Sequence, residues 1–202
     1  MGIAGTGMQG TFELNGKEVV VTQVSPTKTV LEWLRETGRT GTKEGCAEGD
    51  CGACTIAILD NENVDEARWR SVCSCILLLP QIFGKKVVSV EGLADGASLH
   101  PAQAVMVEAL GSQCGYCTPG FVMSLFEATY RDDFEKPWQK DDQICGNLCR
   151  CTGYRPIRDA LCTVAGTRPE DRFSESLQNL VEASPVSYDC LLYTSDAADE
   201  GL

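Results

Sequence analysis

The sequence predicts an α+β fold, in which a small domain built on a mixed sheet precedes an all-helical domain. Alternating, β-prone runs lie before residue 92, and four segments with helical character follow it. The 202 residues include twelve cysteines, which fall in both regions. We therefore expect residues 1–93 and residues 94–168 to form two small domains, each with its own group of cysteines.

A β-hairpin is expected near the start of the first domain. Asn15-Gly16 separates two alternating runs within residues 11–24, and both turn residues tolerate the positive φ of a two-residue hairpin loop. A Ser-Pro pair ends the second run, and residues 27–36 are predicted to form a short helix with one apolar face. Further strands are predicted at residues 55–59 and 86–90, and a polar loop at residues 60–66.

The second domain is predicted to consist of helices. Three prolines lie where a first helical turn can begin, because the first turn leaves its backbone N–H groups without helical partners. The predicted helices span residues 101–110, 119–130, 141–148 and 156–165, with a polar connection at residues 132–140. Residues 169–189 are acidic and weakly patterned, and we interpret them as a linker.

Composition excludes several classes of protein. The 29 acidic and 17 basic residues give a formal net charge of −12, which argues against nucleic acid as a partner. The longest apolar run, at residues 76–80, is too short to cross a membrane, so no membrane partner is expected. Because the N-terminus lacks the basic and apolar regions of a signal peptide, we expect a cytoplasmic protein, in which clustered cysteines usually bind metal.

The end of the chain resembles a laboratory sequence. Residues 190–199 (CLLYTSDAAD) match the translation of a transposase-type sequencing adapter. We therefore expect residues 190–202 to be foreign to the protein, whose own sequence would then be truncated, and Cys190 is excluded from the candidate ligands.

The first cysteine group lies between the predicted helix and the following strand. Cys46, Cys51 and Cys54 have the spacing C-x4-C-x2-C of plant-type [2Fe–2S] sites. Three glycines in the same loop let the backbone approach the sulfurs and direct N–H groups at them. The fourth thiolate is either Cys73 or Cys75, which spacing alone does not separate. Zinc is the alternative metal, although zinc sites usually pair two short knuckles.

The second cysteine group combines C-x2-C at Cys114 and Cys117 with C-x-C at Cys149 and Cys151. The predicted helices place these thiolates at helix ends, where free backbone N–H groups stabilise negative charge. The chain's single histidine, His100, excludes sites that need two, such as a Rieske centre. Spacing alone leaves both a [2Fe–2S] cluster and zinc open here. Cys145 and Cys162 fall on predicted helices and are interpreted as packing residues.

Several longer motifs together resemble the iron–sulfur region of the molybdenum hydroxylases, the xanthine oxidase family. The resemblance extends from about residue 11 to residue 165. It implies a ferredoxin-like (β-grasp) domain followed by a four-helix domain, each with one [2Fe–2S] cluster. The motifs are GTKEGCAEGDCGACT at 41–55, SVEGL at 89–93, LHPAQ at 99–103, SQCGYCTPG at 112–120 and GNLCRCTGYRPI at 146–157.

The resemblance also implies roles for individual residues. The family's fourth ligand of the first cluster precedes the glutamate of V-E-G by sixteen residues, which selects Cys75 against Glu91, while Cys73 occupies the position of an asparagine. Gln113 matches a residue that contacts the molybdopterin cofactor. No catalytic residue is expected within the chain. The implied ligands are Cys46, Cys51, Cys54 and Cys75 for the first cluster, and Cys114, Cys117, Cys149 and Cys151 for the second.

The resemblance implies that the chain passes electrons from a molybdopterin cofactor on a large partner subunit to FAD. Within the family, the motifs are most similar to those of the xanthine dehydrogenases, in which an FAD domain follows the linker; here that domain would lie beyond residue 189. Two alternatives remain open. The chain could belong to an aldehyde or carbon monoxide dehydrogenase, or it could be a zinc-stabilised interaction module without redox function.

Overall fold

A computed structural model describes residues 7–60 and 67–182 of the chain. Five strands form one mixed sheet in the order β2-β1-β5-β3-β4, in which only the β1–β5 pair is parallel. The strands are β1 (Met8–Leu14), β2 (Lys17–Val24), β3 (Thr55–Asp60), β4 (Arg68–Cys73) and β5 (Lys86–Val88). The helices are α1 (Val30–Glu36), α2 (Pro101–Glu108), α3 (Thr118–Tyr130), α4 (Pro137–Ile144), α5 (Arg155–Val164) and α6 (Arg172–Glu182). The mixed sheet followed by helices confirms the α+β class.

The predicted hairpin is confirmed. Asn15 and Gly16 have φ values of 54° and 79°, and Leu14 pairs with Lys17 directly across the turn. The Asn15 amide also connects the hairpin to the chain after β5, because its Oδ1 accepts from the Ser89 backbone N–H at 2.9 Å. The turn therefore sets the strand register and holds the sheet's edge to the chain that leads towards the helices.

Helix α1 begins at Val30, later than the predicted residue 27, because Thr29 caps it. The Thr29 hydroxyl accepts from the Glu32 N–H at 3.2 Å, and the Glu32 carboxylate accepts from the Thr29 N–H at 2.9 Å. This reciprocal capping box satisfies two N–H groups that the first turn leaves free. The helix buries Val30, Leu31 and Leu34.

The strands differ from prediction at β4 and β5. Strand β4 was not predicted, since Arg68 and Arg70 obscure its alternation, yet Trp69 between them is only 2% exposed. Its register with β3 runs from Thr55 opposite Cys73 to Asp60 opposite Arg68. Strand β5 ends at Val88, and a single 3-10 turn, Val90–Gly92, follows it. Apart from Asp60, the predicted polar loop lies outside the described residues.

The helices α2, α3 and α5 lie within two residues of their predicted bounds, whereas α4 does not. The predicted helix at 141–148 is wrong, because α4 begins at Pro137 and ends at Ile144. Pro137 occupies the first turn, and the Gln139 side chain accepts from the Lys136 N–H at 2.6 Å. The early end leaves residues 145–151 free to form an irregular loop, which carries two of the candidate ligands.

The segment predicted to be a linker contains helix α6, which corrects the expectation of weak patterning. Phe173 is 5% exposed and makes edge-on ring contacts with Trp69 and Phe126. The Trp69 indole also donates to the Phe173 carbonyl at 3.3 Å. The first turn of α6 therefore packs against both the sheet and the helices. The rest of the predicted linker and the predicted adapter segment lie outside the described residues.

A buried hydrogen-bonded chain holds the start of α6. The Nδ1 atom of His100 accepts from the Ala102 N–H at 3.1 Å, so the neutral ring carries its proton on Nε2, which lies 2.7 Å from the Tyr130 hydroxyl. That hydroxyl donates to Asp171 at 2.5 Å, and Asp171 caps α6 by accepting from the Ser174 N–H. Burial lowers the pKa of His100 to about 4, although the nearby Asp171 partly opposes this shift.

Two large hydrophobic clusters organise the interior, beside a small one of Leu31, Cys54 and Cys75. One lies between the sheet and α1 and includes Phe12, Leu34 and Ile56. The other is continuous from β3 and β4 into the helices, so that Leu59 belongs to the same cluster as Phe121. The sheet region and the helical region thus share one core, while the exact domain bounds stay a prediction. No helix in the two described stretches is long and apolar enough to cross a membrane.

Candidate metal centres

The first cysteine group is brought together by the loop before β3 and the end of β4. Cys46, Cys51 and Cys54 lie on the loop, and Cys73 and Cys75 lie at and just beyond the last residue of β4. Cys54 and Cys75 are buried, at 1% and 8% exposure, and the other three are half-buried. The structure therefore places both candidates for the fourth ligand at this site.

Backbone N–H groups surround the Cys46 sulfur. The N–H groups of Glu48, Asp50 and Cys51 donate to it at 3.5, 3.3 and 3.3 Å. These donors stabilise the thiolate and lower the pKa of Cys46 to about 7. The Cys46 N–H in turn donates to the Cys51 sulfur at 3.3 Å, so that Cys46 and Cys51 form one close pair.

Glycine is required where this loop turns most sharply. Gly49 and Gly52 have φ values of +90° and +66°, a region that residues with a side chain rarely adopt. At Gly45, a Cβ atom would lie 2.6 Å from the Cys51 sulfur. The loop can therefore wrap around the sulfurs only because these positions carry no side chain.

Cys54 is the common neighbour of Cys73 and Cys75. Hydrogen bonding from the Cys73 thiol, followed by donation from the Cys75 N–H and thiol, lowers the pKa of Cys54 to about 5 despite its burial. The same hydrogen bond raises the pKa of Cys73 well above its usual range. Burial, and next the bond to Cys54, raise the pKa of Cys75 to about 12. Cys54 is thus the most acidic of these three thiols.

The second cysteine group joins the loop before α3 to the loop between α4 and α5. Its four thiols form two pairs, Cys114 with Cys151 and Cys117 with Cys149. Cys149 is 8% exposed, whereas Cys114 and Cys151 lie on the surface. The group therefore has a buried half and a half that solvent or a partner can reach.

Hydrogen bonding also gives the thiols of the second group different pKa values. The Tyr116 backbone N–H, and next the Cys151 thiol, lower the pKa of Cys114. Burial, followed by the bond to Cys149, raises the pKa of Cys117 to about 12. Cys149 is penalised by burial, but the Thr152 hydroxyl, 3.1 Å away, helps to lower the pKa of the Cys149 thiol. Each pair thus contains one favoured thiolate.

The donor set fits a [2Fe–2S] cluster at both groups. Each iron of such a cluster takes two thiolates, so a cluster needs two close pairs and not four donors around one point. Within the described residues, no three His, Cys, Asp or Glu side chains converge on a position for a single metal ion. Tetrahedral zinc needs four donors around one ion. Thiol donors in close pairs at each group match the donors that a [2Fe–2S] cluster needs.

The two groups face a common cavity of about 240 Å³, and the loops that carry them are joined directly. The Leu148 N–H donates to the Cys51 carbonyl at 2.9 Å. The Asn147 side chain donates to the Gly52 carbonyl at 3.0 Å and accepts from Ser124 at 2.6 Å. Sequence reasoning did not identify Asn147; its only signal was its position two residues before Cys149, inside a motif. The two groups are thus parts of one rigid arrangement.

The remaining predicted residues lie on the surface. Gln113 is exposed beside Cys114, in the loop that leads to α3. Cys145 and Cys162 are exposed, so the expectation that they are packing residues is wrong. For Cys145 the reason is that α4 ends at Ile144, which leaves Cys145 at the helix end rather than on its buried face.

Two family models match the chain. Residues 12–79 match a [2Fe–2S] iron–sulfur cluster binding domain, and residues 89–162 match a [2Fe–2S] binding domain. The chain is 45% identical to the xanthine dehydrogenase of Emericella nidulans over 150 residues, or 74% of this chain. It is 41% identical to the xanthine dehydrogenase/oxidase of Gallus gallus over 163 residues, or 79% of this chain. It spans 11% and 12% of the length of these two relatives.

Solved structures of related enzymes superpose on both regions. Quinoline 2-oxidoreductase from Pseudomonas putida 86 matches with a TM-score of 0.68 and 32% identity, over 86% of this chain and 98% of that one. Aldehyde oxidoreductase from Desulfovibrio gigas matches with a TM-score of 0.69 and 30% identity, over 84% of this chain and 18% of that one. Each match therefore extends over most of this chain.

Proposed function

The chain belongs to the molybdenum hydroxylase family, as its part with two [2Fe–2S]-binding domains, and we propose that it is the electron-transfer segment of a xanthine dehydrogenase. The observation that carries the proposal is the presence of two thiol-only sites, each made of two pairs and locked together by hydrogen bonds between their loops. When bound, the two clusters supply one-electron couples between a molybdopterin cofactor and FAD.

In the proposed ligand sets, Cys46, Cys51, Cys54 and Cys75 hold the first cluster, and Cys114, Cys117, Cys149 and Cys151 the second. The pairs support this proposal. Cys46 lies beside Cys51 and Cys54 beside Cys75, which provides two thiolates for each iron of the first cluster. The pairs of the second group provide the same.

The finer fold assignment follows from the order of the elements. We propose that the sheet with α1 is a ferredoxin-like, β-grasp domain and that α2–α5 form the four-helix domain. The parallel pairing of β1 with β5, between two antiparallel pairs, supports the first assignment. The contribution of α2, α3 and α5 to one buried cluster supports the second.

The two cysteine groups imply separate partners. The exposed edge of the second group, with Gln113 and Cys114 on the surface, fits contact with the molybdopterin cofactor on a large subunit. FAD would be held by a further domain of the same or another chain. The protein's residues contribute by fixing the sulfurs and by directing backbone N–H groups at them.

The proposed substrate class follows from the relatives to which the chain is similar. Purine hydroxylation, on hypoxanthine or xanthine, is proposed because several xanthine dehydrogenases are 40–45% identical to the chain. The second candidate is an aldehyde-oxidising enzyme, since aldehyde oxidase 1 of Rattus norvegicus is 41% identical over 155 residues. Steady-state turnover of the complete enzyme with xanthine and with an aldehyde separates the two candidates.

The test of the electron-transfer role removes one ligand. Cys149→Ala in the complete enzyme is expected to abolish turnover with FAD-linked acceptors, because one iron of the second cluster loses a thiolate. Substrate binding at the molybdenum site is expected to remain. Cys162→Ala, which removes an exposed thiol outside both groups, is the matched control. Normal turnover in Cys149→Ala would contradict the proposal.

A further inference from the structure

The Glu91 side chain connects the short turn after β5 to the loop that carries the first cysteine group, residues 41–54. Its Oε1 atom accepts from the Gly41 backbone N–H at 2.7 Å, although the two residues are 50 positions apart in the chain. Gly41 begins the loop, and Cys46 is the first cysteine that follows it. The Glu91 carboxylate therefore holds the loop at its start, ahead of the sulfurs.

Two neighbouring side chains fix the direction of the Glu91 carboxylate. The Ser89 hydroxyl donates to its Oε2 atom at 3.2 Å and accepts from the Asn15 side-chain amide at 3.0 Å. The Asn15 Oδ1 atom accepts in turn from the Ser89 N–H at 2.9 Å. Both carboxylate oxygens are therefore bonded, one to the loop and the other to a pair of residues that the β1–β2 turn holds in place.

The backbone that carries Glu91 is also held from two sides. At Gly92, a Cβ atom would lie 2.1 Å from the Asn15 Oδ1 atom, so the β1–β2 turn packs directly against this backbone. The Arg172 guanidinium, from the first turn of α6, donates to the Gly92 carbonyl. The carboxylate therefore projects from a fixed position and not from a free loop.

The two residues that follow Gly41 are held as well. The Thr42 carbonyl accepts from the Arg35 guanidinium of α1 at 3.3 Å. The Lys43 N–H donates to the Ala53 carbonyl at 3.3 Å, which closes the loop at its base. The chain between these points carries several glycines, and glycine loses more backbone freedom on ordering than any other residue. Restraints at the loop's start therefore matter for the order of the sulfurs beyond it.

We propose that Glu91 is a positioning residue of the first cysteine group, whose carboxylate fixes the start of the loop and so preorganises its sulfurs for a [2Fe–2S] cluster. The inference rests on the proposed function, because it takes this group as a cluster site. A restraint that is present before the cluster binds lowers the entropy that binding must overcome. Asn15 and Ser89 act one step further away, by fixing the carboxylate itself.

The experiment compares variants of the full chain, reconstituted with iron and sulfide, by the decay of each EPR signal in excess chelator and by hydrogen exchange at residue 41. Glu91→Ala removes the acceptor, and Glu91→Gln keeps a side-chain oxygen that can accept from the same N–H. Gly41→Ala keeps the N–H but places a Cβ atom 2.7 Å from the Glu91 Cγ atom, which displaces that side chain. Glu32→Ala is the matched control, because it removes a carboxylate that accepts from a backbone N–H at 2.9 Å, but at the start of α1.

In Glu91→Ala, the EPR signal that also persists in Cys149→Ala should decay about fivefold faster than in the unmodified chain, the effect of one ordinary hydrogen bond. The other signal should keep its rate. Gly41→Ala should behave like Glu91→Ala, and combining the two should add little, because both remove the same contact. Glu91→Gln and Glu32→Ala should resemble the unmodified chain. Exchange of the residue 41 amide should be faster only in the variants that lose this contact.

Two results would overturn the inference. Unchanged decay of both EPR signals in Glu91→Ala and Gly41→Ala would show that the contact does not order the sulfurs. Equal acceleration of both signals, shared by Glu32→Ala, would mean that Glu91 acts only through the stability of the whole fold. Failure of the proposed function looks different, since the unmodified chain would then bind no iron and sulfide, while exchange at Gly41 would still report whether Glu91 holds the loop.

Discussion

The two cysteine groups contain the same donors but place them in different surroundings. In the first group, one loop wraps the sulfurs, and Cys54 and Cys75 are buried beneath the sheet edge. In the second group, two loops at helix ends supply the sulfurs, and Cys114 and Cys151 lie on the surface. One group is thus held mainly by a single segment of chain, and the other by the packing of helices. The same cluster chemistry can therefore be buried for protection or exposed for contact with a partner.

The loops that carry the two groups pack closely against each other. Gly120→Ala is expected to disrupt this contact. A Cβ atom at Gly120 would lie 2.1 Å from the Gly52 carbonyl oxygen, a rigid backbone atom. We expect a loss of about 3 kcal/mol in the free energy of unfolding, the upper range for overpacking, measured by urea denaturation. Gly146→Ala is the matched control, because nothing lies within 4 Å of a Cβ atom there. Equal stability of the two variants would contradict the close packing of Gly120 on the loop of the first group.

Acid is expected to lower the free energy of unfolding through the helical region, which carries the chain's single histidine. Burial lowers the pKa of His100 to about 4, so the unfolded chain takes up a proton near pH 6.5 and the folded chain only near pH 4. The stabilisation is complete above pH 6.5 and is lost as the pH falls to 4. Between pH 7 and pH 5 this loss is about 2 kcal/mol.

His100→Asn tests the source of this loss. Asparagine can cap α2 through its side-chain oxygen but does not titrate in this range. The variant should therefore show a smaller fall in the free energy of unfolding between pH 7 and pH 5, measured by urea denaturation. A fall as large as that of the unmodified chain would assign the acid sensitivity to other groups.

Because Cys114 and Cys151 are exposed, the second cluster should lose iron faster than the first cluster. With a chelator in excess, the EPR signal assigned to the second cluster should decay several-fold faster, which corresponds to about 1 kcal/mol in activation free energy. The assignment of signals comes from Cys149→Ala, which lacks the second. Equal decay of both signals, or faster decay of the first, would show that burial of Cys54 and Cys75 does not protect their cluster.

Local signals in the sequence were sufficient for part of this architecture. The Asn15-Gly16 turn and the prolines at the start of α2, α3 and α5 act within a few residues, so pattern alone predicted those elements. The ligand sets also came from the sequence, through spacing and a family resemblance, and they stay predictions.

The elements that the sequence did not predict are stabilised by tertiary contacts. Strand β4 is stabilised by pairing with β3, and α6 by the burial of Phe173 on Trp69 and Phe126. The role of Asn147 depends on its bond to Gly52, 95 residues away in the chain. Long-range partners of this kind leave no periodic pattern, so neither the aromatic cluster nor the join between the two loops could be predicted from local residues.

We propose that eight of the twelve cysteines hold two [2Fe–2S] clusters. The most direct measurement is the iron and acid-labile sulfide content of the full chain after anaerobic reconstitution, with zinc offered as a competitor. We predict about four irons and four sulfides per chain, with two distinguishable EPR signals after reduction. A chain that takes up zinc and retains no acid-labile sulfide would contradict the account.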